Sequence, residues 1–181
     1  MTLEVKSLIL WLLAICAALL LALSSRLRMA PGSQTTSSLS RLVPTSIAVV
    51  SGALVLVGLV SKTLPTHLVQ ISPLLLVLVI YLFIPRLGAI AATSVLSFWL
   101  VTMGAIWLFL LGISHFLSGR FSPTEILLTV VIGMASLVGL IAAYRRREGG
   151  TIITAILTII LSSGLQSFAL WLSYQPIVRR R

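Results

Sequence analysis

Aspartate and asparagine are absent from this sequence, and its acidic residues are only Glu4, Glu125 and Glu148. Paired carboxylates for acid/base hydrolysis, an aspartyl dyad and a Walker-type magnesium site therefore lack the residues they need. Two histidines, His67 and His115, and the single Cys16 are too few for a zinc set, and Cys16 has no disulfide partner within the chain. Without asparagine there is no N-glycosylation acceptor. A conventional hydrolase or NTPase is thus set aside. The sequence points to a non-catalytic protein, with no catalytic residue, no metal ligand set and no cofactor motif to assign.

Charge is as scarce as acid. Only 9% of residues are charged against 59% hydrophobic, and the mean hydropathy is +1.16. No water-soluble domain of 181 residues keeps that balance. The apolar residues gather in runs over 8–24, 45–61, 68–84, 88–112, 125–144 and 151–174, each near the length an α-helix needs to cross about 30 Å of hydrocarbon. Between the runs stand breakers: Pro31 and Gly32, Pro44, Pro65, the "IPRLG" turn, Gly119, and Gly149 with Gly150; Pro73 falls inside the third run, where a first-turn proline would lack only an N–H that is unpaired anyway. The expected fold is an all-α membrane protein, a single polytopic bundle of about six transmembrane helices, with residues 25–44 as a flexible Ser/Thr-rich loop. The first run reads as a retained helix, since "MTLEVKS" balances one lysine with one glutamate and no small-x-small site precedes "SSRLRM". The last run reads as an ordinary crossing, with a dip and return at "LSSGLQS" as the alternative.

The net charge of +10 belongs to membrane surfaces and lipid headgroups, and no nucleic-acid partner is expected. Six crossings leave the basic residues almost evenly divided between the two faces. The "RLR" after the first run and the "RRR" after the fifth favour those loops being cytoplasmic, with the N-terminus outside.

Glu125 stands directly before an apolar run, where an acid could be catalytic or ion-handling. Its neighbours favour another role. Ser122, Pro123, Thr124 and Glu125 read as N-cap, N1, N2 and N3 of a helix, a capping box with proline where no N–H is needed. The topology also sets His67, His115 and Glu125 at one membrane face, where they could hold a metal or pass a proton, although their spacing matches no ligand motif. Ser51 with His115 as base is the remaining nucleophilic option, and "AVVSGALV" lacks the glycine that would precede an intramembrane serine nucleophile.

Small residues recur at four-residue or eight-residue spacing: Ala14, Ala18 and Ala22; Ala48 and Gly52; Gly88 and Ala92; Gly104 and Gly112; Ala135, Gly139 and Ala143. Such stripes let helix backbones approach closely. In the fourth run Trp99, Met103 and Trp107 share a face and are candidates for contact with lipid, pigment or a partner subunit. In the sixth run Thr154, Thr158, Ser162 and Gln166 form a polar stripe, for interhelical hydrogen bonds or a solute path.

Two functions fit these features. The first is an accessory or structural subunit of a larger membrane complex, with membrane lipids and other membrane-protein subunits as partners. The second is a small transporter or substrate-capturing component that binds a neutral or weakly polar solute along the sixth-run stripe. Size and helix count are similar, in architecture alone, to several groups of small bacterial membrane proteins, including the substrate-binding subunits of energy-coupling-factor transporters, and no motif ties the chain to one. A bacterial inner membrane is the expected location, with a thylakoid or organelle membrane as the alternative.

Overall fold

The structure, a computed structural model, describes residues 36–115, 121–146, 151–176 and 178. Its elements are five α-helices: α1 Thr36–Val60, α2 Leu64–Phe83, α3 Pro85–Leu110, α4 Pro123–Arg145 and α5 Ile152–Ser173. At 1.5 Å per residue these are about 30–39 Å long, and all five are apolar enough to cross a bilayer. The chain is an integral membrane protein. The predicted run over 8–24, with Ala14, Ala18 and Ala22, lies outside the described residues.

Two boundaries differ from expectation. Residues 36–44 belong to α1 rather than to the flexible loop, because Pro44 sits inside the helix instead of ending it. Next to it, the Thr45 hydroxyl donates to the Arg41 carbonyl at 2.7 Å. Helix α2 begins four residues before the predicted run, with Pro65 in its first turn, where a missing N–H is harmless, so Pro73 falls in the interior. An interior proline orphans the carbonyl four residues earlier, here that of Val69. The Ser72 hydroxyl donates to that carbonyl at 2.8 Å and keeps the helix continuous. Helix α5 runs unbroken through "LSSGLQS", so this segment does not dip and return.

Helix α3 is the centre of the bundle. Helices α1, α2, α3 and α4 form a ring in which each packs on the next and α4 closes on α1, while α5 lies outside in the groove between α2 and α3. The interior is filled by Ile47 and Val50 of α1, Leu74 of α2, Val95 and Leu96 of α3 and Ile132 of α4, all buried. Thr93, Ser94 and Ser97 of α3 are buried too, so this helix is enclosed by protein on nearly every side along its first half.

Close approach is set by two glycines. Gly88, in the first turn of α3, faces the backbone of Tyr81 in α2 so closely that a Cβ would fall inside the contact distance of Tyr81 Cα, N and Cβ. The one-residue link at Ile84 depends on this, since it folds α3 straight back along α2. Gly139 of α4 admits side chains of α1 and α3, where a Cβ would lie 3.0 Å from Ser46 Oγ and 2.8 Å from Leu96 Cδ1. Ala48 and Gly52, by contrast, face outward, and nothing lies within 4 Å of a Cβ at Gly52.

Few polar contacts tie the helices together. The Ser94 and Ser163 hydroxyls share a hydrogen bond between α3 and α5. Gln70 of α2 donates to Ser173 Oγ at 3.0 Å, and Gln166 of α5 donates to the Gln70 carbonyl at 3.3 Å. At the opposite end of the bundle Arg146 Nη1 donates to Tyr81 Oη at 2.6 Å, joining the ends of α4 and α2.

Candidate functional site

The end of α1, the start of α2, the end of α3, the start of α4 and the end of α5 meet at one face of the bundle. A cleft of about 790 Å³ opens there. Ligand sites typically measure about 300–1,000 Å³ and combine an apolar lining with a few polar groups. Apolar walls come from Leu54 and Val57 of α1, Phe98, Met103 and Ile106 of α3, Ile132 of α4 and Leu170 of α5. Among them stand Lys62, His67 and Gln70, Trp99 and Thr102, and Glu125 and Thr129.

The turn between α1 and α2 builds one side of the mouth. Thr63 N–H donates to the Gly58 carbonyl at 2.8 Å and Lys62 N–H to the Leu59 carbonyl at 3.3 Å, the paired bonds of a Schellman C-cap. Glycine normally takes the left-handed position of that motif. Here it is Lys62, with φ +56°, and its side chain lines the cleft and is exposed. Left-handed backbone costs a lysine about 1–2 kcal/mol, part of which a glycine would lose again to unfolded-chain entropy. Lys62→Gly is therefore expected to stabilise the protein by about 0.5 kcal/mol, read as a higher midpoint in SDS-induced unfolding. An unchanged or lower midpoint would mean that the lysine side chain offsets the strain through its own contacts.

Gly58 also admits the first turn of α2: a Cβ there would lie 3.0 Å from Leu64 Cα and 3.1 Å from His67 Cβ. His67 is thereby held against α1. Its Nδ1 is 3.1 Å from the Thr63 carbonyl oxygen, which can only accept, and 3.2 Å from Thr63 Oγ1, which can do either; the neutral tautomer that suits both carries its proton on Nδ1. Nε2 is then a bare acceptor.

The start of α4 forms the facing side. Ser122 Oγ accepts from the Glu125 N–H at 3.3 Å, and Glu125 Oε2 accepts from the Ser122 N–H at 2.7 Å and from its hydroxyl at 2.9 Å. This is the capping box expected at Ser122 and Glu125. One carboxylate oxygen makes the whole cap, and Oε1 has no hydrogen-bond partner among the described residues. Glu125→Ala should cost about 1 kcal/mol of stability while Glu125→Gln, which keeps the box, costs little, as compared by unfolding midpoints. Equal losses would show that charge at the helix end outweighs the cap.

Trp99 is 3% exposed and lines the cleft, and its indole N–H has no acceptor among the described residues. A buried N–H without a partner costs about 1–3 kcal/mol. Trp99 and Met103 thus face the interior and not lipid, and the third member of their stripe turns toward α4. Trp107 Nε1 donates to Thr129 Oγ1 at 3.1 Å while its ring lies over Gly133. Packing decides this direction. Because α3 is surrounded, its aromatic face has no outer surface to occupy.

The polar stripe of α5 spends its hydroxyls on its own helix. Thr158 Oγ1 donates to the Thr154 carbonyl at 2.7 Å, Ser162 Oγ donates to the Thr158 carbonyl at 2.6 Å, and Thr154 Oγ1 pairs with Thr151 Oγ1. Gln166 is fully buried against α2, and its Oε1 has no partner among the described residues. None of the four lines the cleft. Of the three residues expected at one face, His67 and Glu125 both line the cleft, whereas His115 is exposed and does not. Ser51 is buried, and its hydroxyl has no partner among the described residues. No group of three or more His, Cys, Asp or Glu side chains that could hold a metal occurs among the described residues.

Sequence reasoning passed over Lys62, Gln70, Thr102 and Thr129. Each is a lone polar residue in or beside an apolar run, and no spacing rule links them. Only the juxtaposition of helix ends does. No protein-family model, curated protein or solved structure matches the chain, so the geometry itself carries the functional reading.

Proposed function

We propose that the chain is a non-catalytic membrane protein that captures a small solute in the cleft formed by the ends of its five helices. The carrying observation is the cleft: about 790 Å³, lined by side chains from every helix, mostly apolar, with a few polar groups among them. This keeps the substrate-capturing reading of the sequence and moves its site from the α5 stripe to the cleft. If the loop holding Arg145 and Arg146 is cytoplasmic, the mouth opens on the opposite side of the membrane. Mass spectrometry of small molecules released by denaturing the purified protein tests the reading. A solute in stoichiometric amount, absent from a variant with a blocked cleft, is expected; the same solute profile in both proteins would contradict it.

A second reading, an accessory subunit of a larger membrane complex, is supported by the outer face of α1. Ala48 and Gly52 leave that face low, and a shallow apolar depression of about 400 Å³ lies beside them, between Thr45 and Val49 of α1 and Val131 and Met134 of α4. Purification of the tagged protein from its native membrane in mild detergent tests this. Stoichiometric partners would support the subunit reading, and a lone protein would count against it.

A further inference from the structure

We infer that the cleft binds a zwitterion with an apolar body, of the kind represented by an apolar α-amino acid, with its paired charges at the mouth. The inference rests on the solute-capture reading and names the class of solute.

The mouth carries one group of each sign, Lys62 and Glu125, and among the described residues no ion pair joins them. Helix capping already occupies Glu125 Oε2 and leaves Oε1 as an acceptor. His67, with its Nδ1 proton turned to the Thr63 carbonyl, offers Nε2 as a second acceptor. Two donors match these two acceptors. One is the Lys62 ammonium, kept in a backbone conformation that suits glycine better. The other, deeper in the cleft, is the Trp99 indole N–H, which has no acceptor among the described residues. Strained backbone and unpaired buried polar atoms concentrate at binding sites, where a ligand meets the need that the protein leaves open.

A purely cationic solute would satisfy Glu125 and His67 and leave Lys62 facing a like charge. A purely anionic one would reverse the mismatch. A ligand carrying an ammonium and a carboxylate meets both sets of groups and brings no net charge to the membrane surface. Its remaining surface is dictated by the walls, where Leu54, Phe98, Met103 and Ile132 leave no charged group to receive a second polar end.

The test uses the full chain in nanodiscs of neutral phosphatidylcholine and three probes that share a phenyl body: L-phenylalanine, phenethylamine and 3-phenylpropionate. Replacing Trp11 and Trp171 by phenylalanine leaves Trp99 and Trp107 as the fluorescent reporters. Phenylalanine is expected to bind at least about tenfold more tightly than either singly charged probe, as one lost charge-assisted contact predicts. Glu125→Gln, which preserves the cap, should erase its advantage over 3-phenylpropionate, and Lys62→Met its advantage over phenethylamine. If phenethylamine or 3-phenylpropionate binds as tightly as phenylalanine, the zwitterion assignment is overturned while solute capture stands. If none of the three binds, the assignment fails, and the released-solute measurement then decides the capture reading separately.

Discussion

Gly88→Ala is expected to abolish most of the folded protein. The added Cβ would meet Tyr81 Cα, N and Cβ, two of which are backbone atoms that no rotamer change can move. Overpacking of a side chain costs about 1–3 kcal/mol, and a clash with backbone belongs at or above the top of that range. Helix α3 cannot shift away cheaply, because Ile84 is the whole link to α2 and the first half of α3 is buried among its neighbours. The effect should be read as loss of the monodisperse peak in detergent, with Gly104→Ala as control. A Cβ at Gly104 meets nothing within 4 Å, so that variant should behave as wild type. Equal yields from the two variants would mean that the α2–α3 hairpin is looser than this packing.

Ala105→Trp is expected to abolish solute binding, by about 100-fold or more, without loss of folding. Ala105 lines the cleft from the last turns of α3 and makes no side-chain hydrogen bond that the change would break. The indole would occupy space the solute needs instead of displacing neighbours, so the usual penalty for overpacking is avoided. The check is twofold: an unfolding midpoint close to wild type, and loss of the solute released on denaturation. A folded variant that retains the solute would place the binding site elsewhere.

Much of the bundle could be read from the sequence, because spans in lipid must satisfy their backbone internally and so announce themselves as long apolar runs. The misplaced boundaries share one cause. Pro44 and Pro73 look like stops and both lie inside helices; at Pro73 the neighbouring Ser72 hydroxyl takes the carbonyl that the proline leaves. Which way a side chain faces was less legible. Helices that are apolar on all sides carry little periodic signal, so Trp99 and Met103 could be set on one face but not assigned to the interior. The Thr154, Thr158, Ser162 and Gln166 stripe was ambiguous for a related reason: hydroxyls in a helix can be satisfied by the preceding turn, as at Thr158 and Ser162, while Gln166 reaches the Gln70 carbonyl of α2. The capping box at Ser122 and Glu125 was legible in full, being local. That Glu125 also looks across a cleft toward α2 depends on five helix ends meeting, which no local pattern records.

The most direct test of the central claim, a solute cleft open at one membrane face, is cysteine accessibility in a Cys16→Ser background. Single cysteines at Thr102 and Ala105, both in the cleft wall, and at the buried Ser136 of α4 would be exposed to a water-soluble methanethiosulfonate from each side of a sealed vesicle. The open cleft predicts that positions 102 and 105 react from the side bearing Glu125 and not from the other, while position 136 stays unreactive. Labelling at 102 and 105 no faster than at 136 would show that this end of the bundle is closed, and the solute-capture reading would fall with it.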